Sequence, residues 1–355
     1  MLGSDPLDQL GTGASQGLVT FVDRIDKLAF VLDVRRLKLL HALAAHGTVA
    51  AAAEAAHLTG PAVSQQLAAL ERETGTQLVE RVGRRLRLTE AGCVLVAHAG
   101  IVLDQLAAAE ADLVALGAEI TGTVRTAAFS SAITTFLADT CRQLRADRAG
   151  RVQLRIASSE PEDSIRLLQR GEADLVVAYA YGVVPHPPPP SLERHDLFTD
   201  PVVLVVPRGD PLDTGGDPPA PVGLGSLSGR DWILPNPATT CHQMTERACG
   251  AAGFVPRAVA YCADFQAMLA LVAAGGAIAL VPRLATKSVR EDVAVYPITP
   301  TTGRGIFALT RPGGDRHPAV RVVLDQLTRA AERQAAAHNN PKGDDTVRSP
   351  PSPQH

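Results

Sequence analysis

Residues 59–69 carry an unusual set of side chains for a helix surface. At about 100° per residue, the arc opposite the apolar face holds Pro61, Ala62, Gln65, Ala68 and Ala69. Ser64 and Gln66 flank it and Thr59 precedes it. A helix facing only solvent ordinarily carries Lys and Glu there. Amides and hydroxyls hydrogen-bond to base edges and methyl groups rest on thymine, so this arc suits the floor of a DNA groove. Ser64 and Gln65 are the foremost candidates for base or phosphate contact. Gln65 matches adenine geometrically, and a contact from Gln65 to phosphate is an equal alternative. Taken alone, the stretch reads better as an ordinary Ala-rich helical hairpin, and it is the flanking residues that favour DNA. A second set follows: Arg81, Arg84, Arg85 and Arg87 fall within seven residues. Guanidinium groups this close together hold backbone phosphates or probe a minor groove; the plain alternative is a solvated charge run. Arg35 and Arg36 are weaker candidates of the same kind.

These residues need elements to position them. Val49, Ala52, Ala53 and Ala56 follow the i, i+3, i+4, i+7 spacing of one helix face, and Val63, Leu67 and Leu70 that of a second. Between them, His57 to Gly60 breaks the pattern, Thr59 is a helix cap and Pro61 fits a first turn. Leu32 to His46 reads as a closing helix capped by Asp33, with Leu37, Leu40 and Ala44 on one face and Leu39 and Leu43 beside them. Three helices with a tight turn before the last form a helix–turn–helix. Leu86 and Leu88 alternate with the arginines, and Gly83 supplies a turn. A two-stranded wing with basic residues outward is expected there. From Thr89 and Glu90, a long helix carries Leu95, Ala99, Val102, Leu106, Ala109, Leu113 and Leu116 in steps of four and three, an a/d seam over three heptads. It spans about 40 Å and reads as a dimerising linker. The alternative is a core helix of the next domain.

The bulk properties bound the rest. The 355 residues allow a small and a larger domain, and 46% hydrophobic content supplies packed cores. The net charge of −3 argues against indiscriminate nucleic-acid binding and leaves DNA contact to a local basic patch. The sequence holds no run of 18 apolar residues, so no membrane-spanning helix is expected. The N-terminus has no export pattern, so a cytoplasmic protein is expected. Residues 1–31 read as a poorly ordered extension with a short apolar helix at Leu18 to Leu32, and 338–355 as a disordered tail. From Thr123 to Pro312, short apolar runs alternate with helical stretches, an α/β pattern with buried, largely parallel sheets.

Ligands in such sheets bind beyond the carboxyl ends of strands, at helix N-termini. Ser130 and Ser131, Thr239 and Thr240, and Asp264 and Phe265 occupy such positions. Hydroxyls beside free N–H groups suit a small anion such as a carboxylate. Helix capping alone also accounts for Ser, Thr and Asp there. No GxSxG, HExxH, GxGxxG or P-loop pattern is present, so no enzyme activity is expected. Cys241, His242 and Cys249 match no standard metal-ligand spacing, and neither a metal nor a cofactor is expected. The five cysteines (93, 141, 241, 249 and 262) read as reduced cytosolic thiols. A thiol redox sensor built on Cys241, Cys249 and Cys262 is the subsidiary reading. A cytosolic ligand-binding protein without a DNA role is a more remote one.

The segment GTVAAAAEAAHLTGPAVSQQLAALERETGTQLVERVGRRLRLTEAG resembles, almost position by position, the DNA-binding segment of LysR-type transcriptional regulators. GEADLVVAYAYG and ADFQAMLALVAAGGAIALVP resemble that family's effector domain. The resemblance covers about residues 32–335. Leu40, Val49 and Val79 stand where the family often has aromatics, and Gly60 where it often has a polar residue, which puts one DNA contact in doubt. The resemblance implies a winged helix–turn–helix at 32–90, a linker helix at 91–120 and a periplasmic-binding-protein-like effector domain at 122–335. That last domain divides into subdomain I (122–198 with 306–335) and subdomain II (201–300). It further implies a bacterial homodimer or homotetramer on double-stranded operator DNA, responding to a small-molecule co-inducer and acting with RNA polymerase.

Overall fold

The computed structural model describes residues 32–82, 85–115, 120–146, 152–184, 188–213, 219–287 and 291–339. The readings made for residues 1–31 and 340–355, for Arg84 and for Leu116 lie outside them. The chain divides after Leu103 into two compact units.

The first unit begins with α1 (Val34–His46), α2 (Val49–Ala55) and α3 (Gly60–Thr74). Each has a side-chain cap: Asp33 accepts from the Arg35 N–H at 2.7 Å, Thr48 from Ala51 at 3.2 Å and Thr59 from Ala62 at 3.4 Å. Gly47 and Gly75 end α1 and α3 at φ 71° and 61°, the left-handed conformation for which glycine carries no Cβ penalty. His57 adopts the same region at φ 54° in the turn between α2 and α3. Leu37, Leu39, Leu40, Leu43, Ala52, Ala53, Val63, Leu67 and Leu70 form the core, and each buried leucine contributes about 1.5–3 kcal/mol. Ala44 is exposed. The buried face of α1 centres on its four leucines, which remove more apolar area from water than an alanine does.

Strands β1 (Val79–Val82) and β2 (Arg85–Leu88) form the antiparallel wing, and α4 (Glu90–Ala115) follows. Two contacts fasten the wing. The Glu71 carboxylate accepts from the N–H groups of Leu78 (2.8 Å) and Val79 (3.0 Å). Gly92 presses on Leu78 so closely that a Cβ there would lie 2.1 Å from the Leu78 carbonyl oxygen.

The second unit is built on a mixed eight-stranded sheet, ordered β4-β3-β5-β12-β6-β11-β7 with β10 also paired to β6. The strands are β3 (Gly122–Ala128), β4 (Val152–Ser158), β5 (Leu175–Tyr181), β6 (Glu193–Pro207), β7 (Val222–Gly223), β10 (Ala279–Pro282), β11 (Val293–Thr299) and β12 (Gly303–Thr310). A separate parallel pair is β8 (Asp231–Pro235) and β9 (Arg257–Cys262). The helices are α5 (Ser130–Ala132), which runs through a π turn at Ile133–Leu137 into α6 (Ala138–Ala146), then α7 (Pro161–Gln169), α8 (Thr240–Ala251), α9 (Phe265–Ala273) and α10 (Pro318–Asn339).

Two sequence expectations change. The sheet is not largely parallel: β12 runs antiparallel to β5 and β6, and β10 and β11 run antiparallel to β6. The alternation of strands and helices is blind to strands that return without a helix between them. In addition, β6 (Glu193–Pro207) runs across the break expected between subdomain I, ending at 198, and subdomain II, starting at 201. It runs unbroken past Asp200 and Pro201, pairing first with β12 and then with β10 and β11. A charge and a proline read as a boundary in sequence, but here Asp200 is buried beside an arginine described below.

Candidate nucleic-acid interface and effector cleft

On α3, Val63, Leu67 and Leu70 face the core while Pro61, Ser64, Gln65 and Ala68 are exposed; Ala62, Gln66 and Ala69 are half-buried on the flanks. The reading arc is thus presented as its spacing requires. Gln66 differs from its neighbours, because its Oε1 accepts a hydrogen bond from Arg36 Nε at 3.0 Å. Arg36 also forms an ion pair with Glu73. Gln66 and Arg36 therefore brace α1 against α3, and Arg35 is the exposed member of the Arg35–Arg36 pair.

The wing registers Val79 with Leu88, Glu80 with Arg87, Arg81 with Leu86 and Val82 with Arg85. Because side chains alternate faces along a strand, Arg87 shares its face with Glu80, and Arg81 shares the face of Leu86 and Leu88. Arg81 and Arg87 are both exposed. The expected division into a basic face and an apolar face is therefore incomplete: Arg81 sits at the solvent end of the apolar one.

The seam of α4 also departs from its heptad reading. Leu95 packs on the first unit's core and Ala99 is part of it. Val102, Leu106, Ala109 and Leu113 are exposed, together with Val94 and Ile101. By length and composition alone Glu90–Ala107 is apolar enough to cross a membrane, with a mean hydropathy of 1.3, although it is not an unbroken run of 18 apolar residues. Glu90, His98, Asp104 and Gln105 are its polar residues, and of these only Glu90 and Asp104 are charged.

In the second unit the effector candidates separate into two groups. Ser131, just past β3, is buried, and its Oγ accepts from Arg304 Nη2 at 2.8 Å. Arg304 is itself buried against Asp200 at 2.9 Å. Its guanidinium lies 4.7 Å from the Phe129 ring centroid and 4.6 Å from that of Tyr179. The Tyr179 hydroxyl donates to Glu160 at 2.7 Å. Thr240, at the start of α8, lines a cavity of about 80 Å³ with Tyr179, Tyr181, Val184 and Phe307. The Tyr181 hydroxyl is buried there beside the Cys241 thiol, with no nitrogen or oxygen partner among the described residues. Ser131 and Thr240 thus converge on one polar, aromatic-walled cluster. Burial pushes the Tyr179 and Tyr181 hydroxyls well above their ordinary range, so both remain neutral donors.

The remaining candidates serve local structure. Thr239 caps α8 by accepting from the His242 N–H at 3.2 Å, and Asp264 caps α9 by accepting from Ala267 at 2.8 Å. Phe265 packs against the apolar core. Ser130 is exposed beside Ser131. Sequence reasoning missed Arg304, Asp200, Tyr179 and Tyr181. One signal was present: an arginine between two glycines, GRG, entering the apolar run Ile306 to Leu309. The thiols have little sensor character. Burial pushes Cys241 up to about 11 and Cys249 to about 12, which keeps them protonated, whereas reactive cysteines are accessible thiolates.

A helix–turn–helix whose third helix exposes a polar face, with a two-stranded wing beside it and an α/β unit after it, defines the winged helix–turn–helix class of DNA-binding regulator. Residues 34–93 match the family model described as bacterial regulatory helix-turn-helix protein, lysR family, and residues 117–332 match the LysR substrate binding domain. The chain belongs to the LysR family of DNA-binding transcriptional regulators. It is 27% identical over 305 residues to the HTH-type transcriptional regulator CatR of Pseudomonas putida, covering 85% of this chain and 100% of CatR. To the HTH-type transcriptional regulator CbbR of Rhodospirillum rubrum it is 26% identical over 304 residues, covering 84% and 96%. Full-length OxyR from Pseudomonas aeruginosa has a similar fold, with a TM-score of 0.63 at 21% identity over 84% of this chain and 95% of OxyR.

Proposed function

We propose that the protein is a cytoplasmic regulator without enzymatic activity. It reads operator half-sites through Ser64 and Gln65, holds phosphates through Arg81, Arg85 and Arg87, and pairs with a second copy along α4. The exposure of Ser64 and Gln65 on a helix whose opposite face is locked into the core carries this reading. Self-association is supported by the apolar stripe of Val94, Ile101, Val102, Leu106 and Leu113 on α4, since an apolar face this extended favours a partner over water. The co-inducer site is the cluster around Ser131, Tyr179, Tyr181 and Thr240, and its occupant is a small polar molecule. Asp200 neutralises the buried Arg304, so a carboxylate effector would be met by Thr240, the N–H groups opening α8 and the Tyr181 hydroxyl. Occupation shifts the population between assemblies with different half-site spacing, and through it the access of RNA polymerase.

Genome-wide mapping of binding sites, followed by footprinting with metabolites of the neighbouring genes, tests the proposal. A footprint or bend that changes with one of them supports it; identical footprints and bends with every candidate would remove the effector role.

A further inference from the structure

β6 and β12 are register partners from Pro201↔Gly303 to Glu193↔Thr310. The Asp200–Arg304 pair occupies one end of this ladder. At the other end, Glu193 and His195 share a face of β6, because they are two residues apart on a strand. The turn after β12 brings Asp315 to the same place. The three half-buried side chains offer one imidazole nitrogen and two carboxylate oxygens, all within 4.8 Å of one another. Around a tetrahedral ion with bonds of about 2.0–2.1 Å, donors stand about 3.3 Å apart, so small side-chain rotations close the set.

The surroundings orient these donors. The Gly313 N–H donates to Glu193 Oε1 at 3.1 Å. The buried Thr310 hydroxyl lies 3.2 Å from His195 Nε2 and 3.5 Å from Glu193 Oε2. Two nearby arginines are engaged elsewhere. Arg194 pairs with Asp196. Arg311 donates to the carbonyls of Leu168 and Ala173 and lies 3.8 Å from Asp104 and 3.9 Å from Asp174. Among the described residues neither Glu193 nor Asp315 makes an ion pair. Two converging carboxylates beside an imidazole form a donor set that a divalent ion can bind.

We propose that Glu193, His195 and Asp315 bind a divalent transition-metal ion of the Zn²⁺ type, which clips the start of β6 to the turn leading into α10. Ca²⁺ prefers six to eight oxygen donors and Mg²⁺ keeps most of its waters. One imidazole and two carboxylates, with a fourth position left to water, form a set that Zn²⁺ accepts. This departs from the expectation of no metal, which rested on the spacing of Cys241, His242 and Cys249. The site is also separate from the effector cluster.

The test uses tag-free, full-length protein titrated calorimetrically with Zn²⁺, and with Ca²⁺ and Mg²⁺ in parallel. One Zn²⁺ per chain at micromolar concentration is expected, with a rise in melting temperature and no comparable binding of Ca²⁺ or Mg²⁺. His195→Ala and Asp315→Asn are each expected to weaken Zn²⁺ binding at least about tenfold, since even residues that only orient ligands are worth about 10–100-fold. Glu193→Gln serves if either variant fails to fold. Parental affinity in the variants, or no Zn²⁺ uptake by the parent at micromolar concentration, overturns the proposal.

Discussion

Arg304 Nη2 and Asp200 Oδ2 lie 2.9 Å apart as register partners of β12 and β6, with side chains 1% and 0% exposed. Asp200 also accepts from the Leu284 N–H at 3.1 Å, so this pair ties β12, β6 and the turn after β10 into one point beside Ser131. Burial raises the Asp200 carboxyl while Arg304 opposes that shift. Replacing one partner leaves the other buried and uncompensated, which costs about 3–5 kcal/mol. Asp200→Ala should therefore lower the urea midpoint of the second unit markedly. The double variant Asp200→Leu with Arg304→Met should recover most of the loss, because an apolar pair of similar volume is often neutral. A single variant with parental stability would show that the pair is not the tie described.

Gln65 and Gln66 are adjacent and should behave differently. Gln65→Ala is expected to lose about 1–3 kcal/mol of operator affinity against one base pair, with weak non-specific binding and stability retained. Gln66→Ala removes the acceptor of Arg36 Nε and should instead lower stability by about 0.5–1.5 kcal/mol. Gel shifts on operator and scrambled DNA, beside urea unfolding, separate the two. Unchanged base preference in Gln65→Ala takes Gln65 off the reading edge.

Glu71 holds the entry to the wing through two N–H groups. Glu71→Ala leaves both donors without their acceptor, at a cost of about 1–3 kcal/mol each if water cannot replace it. Hydrogen exchange at Leu78 and Val79 should speed up first, and phosphate-dependent affinity should fall with it. Equal exchange rates in parent and variant would argue that the clamp is dispensable.

Leu106 lies on the exposed stripe of α4, whereas Ala99 is consumed by the core. Leu106→Glu should shift sedimentation toward monomer without unfolding the first unit. Loss of one buried leucine contributes about 1.5–3 kcal/mol per copy. A variant that sediments as the parent does would place the interface elsewhere.

The Arg230 guanidinium is bonded to Asp210 and holds its carboxyl below the ordinary value of 3.8. A depressed folded pKa contributes stability that is present above 3.8 and is lost as the pH falls through the lower folded value. Arg230→Gln should flatten this acid limb while changing neutral-pH stability less than the Asp200 variants do. Equilibrium unfolding from neutral to strongly acid pH provides the comparison, and an unchanged limb would discount the pairing.

The sequence by itself determined what depends on near neighbours. The caps Asp33 and Thr59, the core spacing of Val63, Leu67 and Leu70, and the exposure of Ser64 and Gln65 all follow from a helical period and from hydrogen bonds spanning two or three residues. Only the tertiary structure decided what depends on distant partners. Gln66 braces because Arg36 stands opposite it across a helix pair. Leu95 and Ala99 left the heptad seam because the core needed their face first. Arg304 meets Asp200 across 104 residues of chain, and Asp315 meets Glu193 and His195 across a ladder whose antiparallel return no local period encodes. A charge in a strand is an anomaly until its partner is placed, and strand pairing, a non-local choice, is what places it.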